Sequence, residues 1–591
     1  MKFVLLPHQE DAIKFIKSRE NDSYISGGFL GMTMGLGKTF TMLSTIMNDI
    51  PAAIPAVVDP NVEYMRCGHV LVKNMKMCPC CSNLSENRDF LNLVVAPKTA
   101  LITWEEEIKK FYPSLKYFIF TKEKNANIDK ITIDDLKQYS LILTNYEYLR
   151  GVAKRLDVYS YICKKSKTGS IIGANSPNDP IFSPSSGEGL LYSIKWNRIV
   201  ADESHNFANN KTALFASMIS LCSYKKWCLS GTPIRNSKDD LYSQYKFLGY
   251  KDNGFDYDMF RSQNLNMYIH YIDYKKANIV LPELFFNRVN CSLTGKQAEI
   301  YKYYINQVRE TYGNFIIGTK KFSDVLVMFL RLRQVCVSPY TIIKNPLEET
   351  EEYECSQKQL DSSLMGLSTW LHDKTSESGM KSSKILKTID IVSKVPAGEK
   401  IVIFTMFRKV MTLLEEAILI QYPNKNIIKI DGSIVKANRE KAISNFKNDV
   451  NSDILIISYK IGSESLNLTE ANHIILVEPW WCPAVIEQAK ARVQRMGQTK
   501  KLYVYELVID EIEGMDLSNL TIEQQIVSMC DKKTKEAIQF LSNKTITHPT
   551  LNSLNADQIG KLIGVDQFKP NAPVFYNLGH NEGHFLFNDS N

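Results

Sequence analysis

The 591-residue sequence has no run of about 18 apolar residues, so it offers no membrane-spanning helix and no membrane partner is expected. Twelve cysteines in a chain of this length are too few for a disulfide scaffold. With 28 glycines and 21 prolines it is neither collagen-like nor low-complexity, and hydrophobic residues at 44% are too many for a wholly disordered chain. A signal-peptide core is not expected at the start, where MKFVLLPHQED reaches His8, Glu10 and Asp11 within a few residues. No repeat of solenoid period and no run of five or more basic residues occurs. The balance of 71 Lys and Arg against 64 Asp and Glu leaves +7, compatible with a polyanion partner without requiring one.

What is present is alternation. The runs LNLVVAP (91–97), YSLILTN (139–145), NRIVADE (197–203) and KWCLSGT (226–232) read as buried parallel strands, with amphipathic stretches such as WEEEIKKF (104–111) between them. A second set follows: KIVIFTM (400–406), NIIKID (426–431), DILIISY (453–459) and HIILVE (473–478). This pattern predicts an α/β fold built as two doubly wound parallel-sheet units. The middle, 252–383, reads as helical. Its polar stretch 349–363, like the Ser-, Pro- and Gly-rich 166–189, reads as a loop-like insertion. In such sheets ligands gather beyond the carboxyl ends of the strands, so chemistry is expected there.

GGFLGMTMGLGKTFTML (27–43) places Gly35, Gly37, Lys38 and Thr39 between an apolar run and a helix. Glycines let a loop wrap phosphates with its N–H groups, and a helix N-terminus adds the positive end of its dipole. Lys38 suits the β- and γ-phosphates, and the Thr39 hydroxyl suits Mg²⁺. The strict spacing fails at its first glycine, where Met32 stands. In IVADESH (199–205) a strand delivers Asp202 and Glu203 to its polar end. Asp202 suits the Mg²⁺ shell and Glu203 the activation of water. A solvated acidic strand end is the plainer reading of that pair alone. Its company with an upstream phosphate loop favours Mg-dependent nucleotide hydrolysis.

An ordered series of segments, from Leu5 to about Lys533, resembles the Swi/Snf-type DNA translocases of helicase superfamily two. LLPHQ (5–9) resembles the motif whose glutamine reads adenine, here Gln9, and MGLGKT (34–39) the family's phosphate loop, with Gly35, Leu36 and Gly37. VVAPKTALITWEEEIKKF (94–111), NYEYLR (145–150), DESH (202–205) and LSGTPIRN (229–236) follow in order. LPELFFNRVNCSLTGKQAEIYKYY (281–304) and LRLRQVCVSP (330–339) resemble helical segments between lobes. IVIFTMF (401–407), IDGSIVKANREKAISNF (430–446) and SYKIGSESLNLTEANHIILVEPWW (458–481) resemble second-lobe motifs. QAKARVQRMGQTK (488–500) resembles the arginine-finger motif, placing Arg492 and Arg495, and TIEQQI (521–526) the closing helix. A solvated basic face is the plainer reading of the two arginines.

The resemblance implies two RecA-like lobes: a first lobe over 1–251, a helical inter-lobe insertion over 252–383, a second lobe over 384–512, and a brace helix with tail over 513–591. It implies ATP and Mg²⁺ as cofactors and double-stranded DNA, bound with little sequence specificity, as partner. It further implies an ATP-driven translocase that does not separate strands. Hydroxyls at strand ends (Ser230, Thr232, Thr405, Ser458) are expected to face DNA phosphates. Three departures stand out: Met32 and Thr33 where the family has Asp-Glu, and Glu464 in the coupling motif. They favour, as a rival, a subunit of a transcription or remodelling complex that uses nucleotide as a conformational clamp; a separate alternative is a DNA-dependent NTPase acting as a transcription factor or releasing RNA polymerase.

Between the phosphate loop and the next motif, Cys67, His69, Cys78 and Cys81 form two ligand pairs joined by a short connector. That set suits one tetrahedral Zn²⁺ in a knuckle over 61–86, with Cys80 as a spare; reduced loop cysteines are the plainer reading. Abundant Asn, Ile, Lys and Tyr suggests an A+T-rich gene, as in large DNA viruses. The expected location is intracellular: nucleus, or cytoplasmic virus factory or virion.

Overall fold

The computed structural model describes residues 4–22, 25–49, 91–125, 127–155, 187, 189–210, 212–231, 238–250, 265–342, 367–432, 434, 436–449, 452–462, 466–516, 520–541 and 556–564. The four zinc-ligand candidates, Thr232, Glu464, the stretch 349–363 and the tail beyond 564 lie outside these residues. Among the described residues, no group of three or more His, Cys, Asp or Glu could hold a metal ion, and no helix is long and apolar enough to cross a membrane.

The chain divides into two compact units, one of residues 1–280 and one beginning at Leu281. The first holds seven strands: β1 (Gly27–Met32), β2 (Asn92–Ala96), β3 (Tyr117–Ile119), β4 (Leu141–Asn145), β5 (Lys195–Asp202), β6 (Cys222–Ser230) and β7 (Ile269–Ile272). They lie in the order β3-β4-β2-β5-β6-β1-β7, every pairing parallel. β1, β2 and β4 are buried along their whole length, as expected of strands covered on both faces. Helices α1 (Pro7–Glu20), α2 (Lys38–Asp49) and α3 (Lys98–Phe111) pack on the sheet. Their apolar residues (Ala12 and Ile16; Met42, Leu43 and Ile46; Leu101, Trp104 and Ile108) recur at helical spacing and join one core with Leu30, Val94 and Val200. Pro7 opens α1 at its first turn, where its missing N–H costs nothing.

The second unit holds β8 (Leu284–Leu293), β9 (Lys400–Thr405), β10 (Asn426–Ile430), β11 (Ser452–Ser458), β12 (Ala471–Leu476) and β13 (Leu502–Ile512). Their order is β10-β11-β9-β12-β13-β8, again all parallel. Helices α4 (Gly295–Ile317), α5 (Phe322–Val337), α6 (Ser383–Lys394), α7 (Pro483–Val493) and α8 (Ile522–Leu541) belong to this unit.

The segment 252–383 is not wholly helical. β7 pairs with β1 in the first sheet, and β8 pairs with β13 in the second. The 281–304 stretch, expected to be helical, is a strand up to Leu293 and a helix from Gly295. β8 is a ten-residue edge strand in which the polar Asn287 and Arg288 stand side by side, so no clean two-residue period marks it.

Candidate active site

The phosphate loop leaves the carboxyl end of β1 and enters α2 at Lys38. Gly35 and Gly37 hold φ of 87° and 81°, which glycine adopts without cost. A Cβ on Gly37 would also stand 2.6 Å from Gln9 Nε2. The loop's carbonyls are tied one after another. Met32 O accepts Lys38 Nζ at 2.9 Å, Thr33 O accepts Leu36 N at 3.2 Å, and Met34 O accepts the Tyr274 hydroxyl. Leu36 O accepts Gln9 Nε2 at 3.3 Å and His8 Nε2 at 3.1 Å, while Gly37 O accepts both Thr41 N and Thr41 Oγ1 at 2.9 Å. The first N–H groups of α2 have no intrahelical acceptor, which is the arrangement that binds phosphate.

Gln9, buried, sits at the third position of α1 and takes the Leu6 N–H on its Oε1 at 3.0 Å. Its amide therefore spans the start of α1 and the loop. Met32, the departure from strict spacing, is fully buried in the core, so only its carbonyl faces the site. Leu36 is likewise buried and contributes loop backbone.

The strand order places the carboxylates. β6 lies between β1 and β5, so Asp202 ends the strand next but one to the loop. Gly231, just past β6, fills the gap: a Cβ there would sit 3.4 Å from Lys38 Nζ. Asp202 is buried; its Oδ2 accepts Trp104 Nε1 and its Oδ1 accepts Glu203 N, both at 2.9 Å. Burial first, then the neighbouring Glu203 charge, raises its pKa above the ordinary carboxylate range, while Trp104 and the Lys38 ammonium pull the other way. Lys38 and Asp202 thus share one electrostatic site.

Glu203 holds a left-handed backbone, φ 48°, ψ 53°, where a non-glycine residue is strained. Among the described residues its Oε2 is buried without a hydrogen bond, 3.4 Å from His205 Nδ1. His205 Nδ1 also lies 3.3 Å from Ser230 Oγ, linking the ends of β5 and β6. The Asp202 and Glu203 carboxylates at the end of β5, on the same side of the sheet as the phosphate loop, are oxygen donors of the kind that suit a hard divalent cation. Thr39 and Asp202 would hold Mg²⁺, which when bound with a nucleotide neutralises phosphate oxygens.

Trp104 and Tyr146, whose hydroxyl donates to Asp202 O at 2.7 Å, both stand in matched motifs without an assigned role. Tyr274 gave no signal at all. Two of the four strand-end hydroxyls differ from expectation. Thr405 is fully buried and donates to Glu478 Oε1 at 2.6 Å; Ser230 is buried against His205. Neither offers its hydroxyl to DNA, because each satisfies a buried partner instead.

In the second unit, Arg492 lies near the end of α7, buried, and its carbonyl accepts Leu468 N at 2.9 Å. Arg495 lies beyond the helix end, half-buried, with Nη1 3.4 Å from Leu466 O. The two are not on one solvated helix face. Gln498 Nε2 donates to Ala471 O at 2.7 Å and Thr469 O at 3.0 Å, fixing this turn to β12. Trp480 and Trp481 stack at 4.2 Å, both half-buried, and the buried Arg333 guanidinium lies over them at 5.3 and 4.7 Å. Lys384 and Glu523, both fully buried, pair at 2.7 Å and tie α6 to α8. Gln297 and Tyr301 are structural: Gln297 Nε2 donates to Glu377 O at 2.7 Å, and the Tyr301 hydroxyl caps Ile522 N at 3.0 Å.

A glycine-turned phosphate loop, its lysine and a neighbouring strand's Asp-Glu pair define a P-loop NTPase of the helicase class. The sequence matches the SNF2-related domain over residues 8–341 and the helicase conserved C-terminal domain over residues 381–497. It is 30% identical to "Putative helicase 172L" of Invertebrate iridescent virus 6, covering 95% of each chain. It is 26% identical to "Probable global transactivator" of Orgyia pseudotsugata multicapsid polyhedrosis virus, covering 93% of this chain and 92% of that one. Against DNA repair protein RAD5A of Arabidopsis thaliana, 23% identity covers 82% of this chain and 56% of that one. The chain belongs to the SNF2-related family of helicase-like proteins, and membership implies an ATPase that uses ATP and Mg²⁺.

Proposed function

We propose that the protein is an ATP-driven translocase on double-stranded DNA. The observation that carries this reading is the pre-formed phosphate loop, with Lys38 and Asp202 in one electrostatic site, in a chain that matches the SNF2-related family. Gly35, Leu36, Gly37, Lys38 and Thr39 take the phosphates, Gln9 the adenine, Thr39 and Asp202 Mg²⁺, and Glu203 the attacking water. Arg492 and Arg495 take the finger role, which rests on their motif alone. An arginine near the transferred phosphoryl neutralises developing charge. The DNA partner is supported by the family and by the printed name of the Arabidopsis relative, a DNA repair protein. Contacts to phosphate predict weak base preference and strong salt dependence.

The test is ATP turnover with and without duplex DNA, together with triplex displacement on the same duplex. Duplex DNA accelerates turnover, ATP drives triplex release, and Lys38→Ala loses both. Turnover indifferent to DNA would remove the translocase reading. A second reading, a DNA-dependent NTPase in a transcription or remodelling complex, is favoured by the viral relative named as a transactivator. It keeps DNA-stimulated turnover without triplex release. Either reading suits the nucleus, or a virus factory or virion. Cys67, His69, Cys78 and Cys81 hold one structural Zn²⁺ in this proposal, supported by their spacing. Metal analysis finds one zinc per chain, and none after Cys67→Ala with Cys78→Ala; a zinc-free parent protein sinks it.

A further inference from the structure

The phosphate loop is held from inside α1 and α2, and also from a segment some 240 residues away. β7 runs beside β1 with Met32 opposite Ile272, and the pairing continues into the loop. Thr33 N donates to Ile272 O at 2.9 Å, with Thr33 Oγ1 at 3.4 Å from the same oxygen. The chain then turns tightly over Asp273–Ile279. Ala277 N bonds Asp273 O, Ile279 N bonds Tyr274 O at 3.0 Å, and Lys276 N bonds Asp273 Oδ1 at 2.7 Å. Tyr274, Ala277 and Ile279 pack against the core that holds Met32 and Leu36. From that turn the Tyr274 hydroxyl reaches Met34 O.

β1 is shaped for this approach. A Cβ on Gly28 would stand 2.6 Å from Tyr268 O, and one on Gly31 would stand 2.7 Å from the Tyr271 ring. Side chains at either position would push the 268–274 stretch away and carry Tyr274 off the loop.

We propose that Tyr274 is a positioning residue for nucleotide binding, which keeps the Met34 carbonyl turned away from the phosphates. A peptide oxygen pointing into the cradle would repel phosphate oxygens, whereas one engaged by a hydroxyl leaves the N–H side facing the anion. Thr33, at a position where an acidic residue was expected, supplies the neighbouring anchor. This inference rests on the ATPase reading of the loop, and concerns affinity for nucleotide rather than movement on DNA.

The test is Tyr274→Phe, which keeps the ring in its packing and removes only the hydroxyl. Fluorescent ATP binding in Mg²⁺, steady-state KM and kcat, and the thermal midpoint are measured on the full chain. Loss of one hydrogen bond of ordinary strength raises Kd and KM about fivefold, with kcat within twofold and the midpoint unchanged. Met34 itself can be kept, since its carbonyl and not its side chain is engaged. Parent-like Kd and KM in Tyr274→Phe overturn the proposal, as does a fall in kcat at constant KM. A parent protein that binds and hydrolyses ATP but ignores DNA would remove the translocase reading and leave this one standing.

Discussion

Glu478 follows β12 and ties it to the end of β9, its two oxygens accepting Thr405 Oγ1 at 2.6 Å and Met406 N at 3.1 Å. Burial pushes its pKa from 4.5 up to about 7, outweighing Thr405, Lys384, Arg333 and the Met406 amide, which all pull down. The folded state therefore prefers the protonated acid. Stability drawn from this group is present at low pH and is lost as pH rises from 4.5 through about 7. Glu478→Gln is neutral throughout. Its thermal midpoint relative to the parent should rise between pH 5 and pH 8, by an amount worth at most about 3 kcal/mol; an offset constant with pH would refute the assignment. Nothing in HIILVE marks this glutamate as different from the aspartate that ends the other lobe's strand. Residue types and their order made Lys38, Asp202 and Glu203 legible. What stayed hidden was which hydroxyls and carboxylates spend their hydrogen bonds on one another, because that depends on strand neighbours far away in the chain. Met32 illustrates the converse. Its glycine-less position is harmless because the side chain enters the core and the loop needs only its carbonyl.

At the scale of elements, the two nucleotide-site helices of the first unit are pinned by one charge cluster at their carboxyl ends. Glu20 in the last turn of α1 and Asp49 at the end of α2 both meet Arg198 of β5, which is fully buried; Arg198 Nε is 2.6 Å from Glu20 Oε1. Lys225 adds a contact of 2.8 Å to Glu20, and Trp227 Nε1 donates to it at 2.9 Å. Burial pushes the Glu20 pKa upward, but Arg198 and Lys225 together outweigh it and hold it at about 2. The stabilisation is thus present above pH 4.5 and lost as pH falls toward 2. Arg198→Met leaves two carboxylates short of a partner and should cost about 3–5 kcal/mol. Its acid unfolding, followed by circular dichroism, should begin at higher pH than the parent's; an unchanged acid midpoint would show that the cluster is idle. Of the eight strands read as buried apolar runs, all but the half-buried edge strand β10 were legible because burial on both faces leaves a continuous signature. The five others were not read as strands. β3 and β7 are too short to show a period, the glycines of β1 read as the approach to a phosphate loop, and β8, at the sheet edge, and β13, beside it, mix polar and apolar residues.

For the whole molecule, two α/β units were legible from the recurrence of strand runs, each with its own core. The helical middle was less so. Its first third supplies an edge strand to each sheet, and pairing at an edge is decided by a partner some 200 residues distant rather than by local pattern. The same remoteness governs how the chain must assemble. β1 lies between β6 and β7, and β8 waits for β13, so the earliest strand of each sheet finds its neighbours only near the end of its own unit. During synthesis the glycine-rich β1 and the mixed edge β8 emerge from the ribosome with open hydrogen-bonding rims and must be kept from other chains until most of a unit has been made. Before any nucleotide can bind, then, the chain has to keep an early strand waiting for a late one.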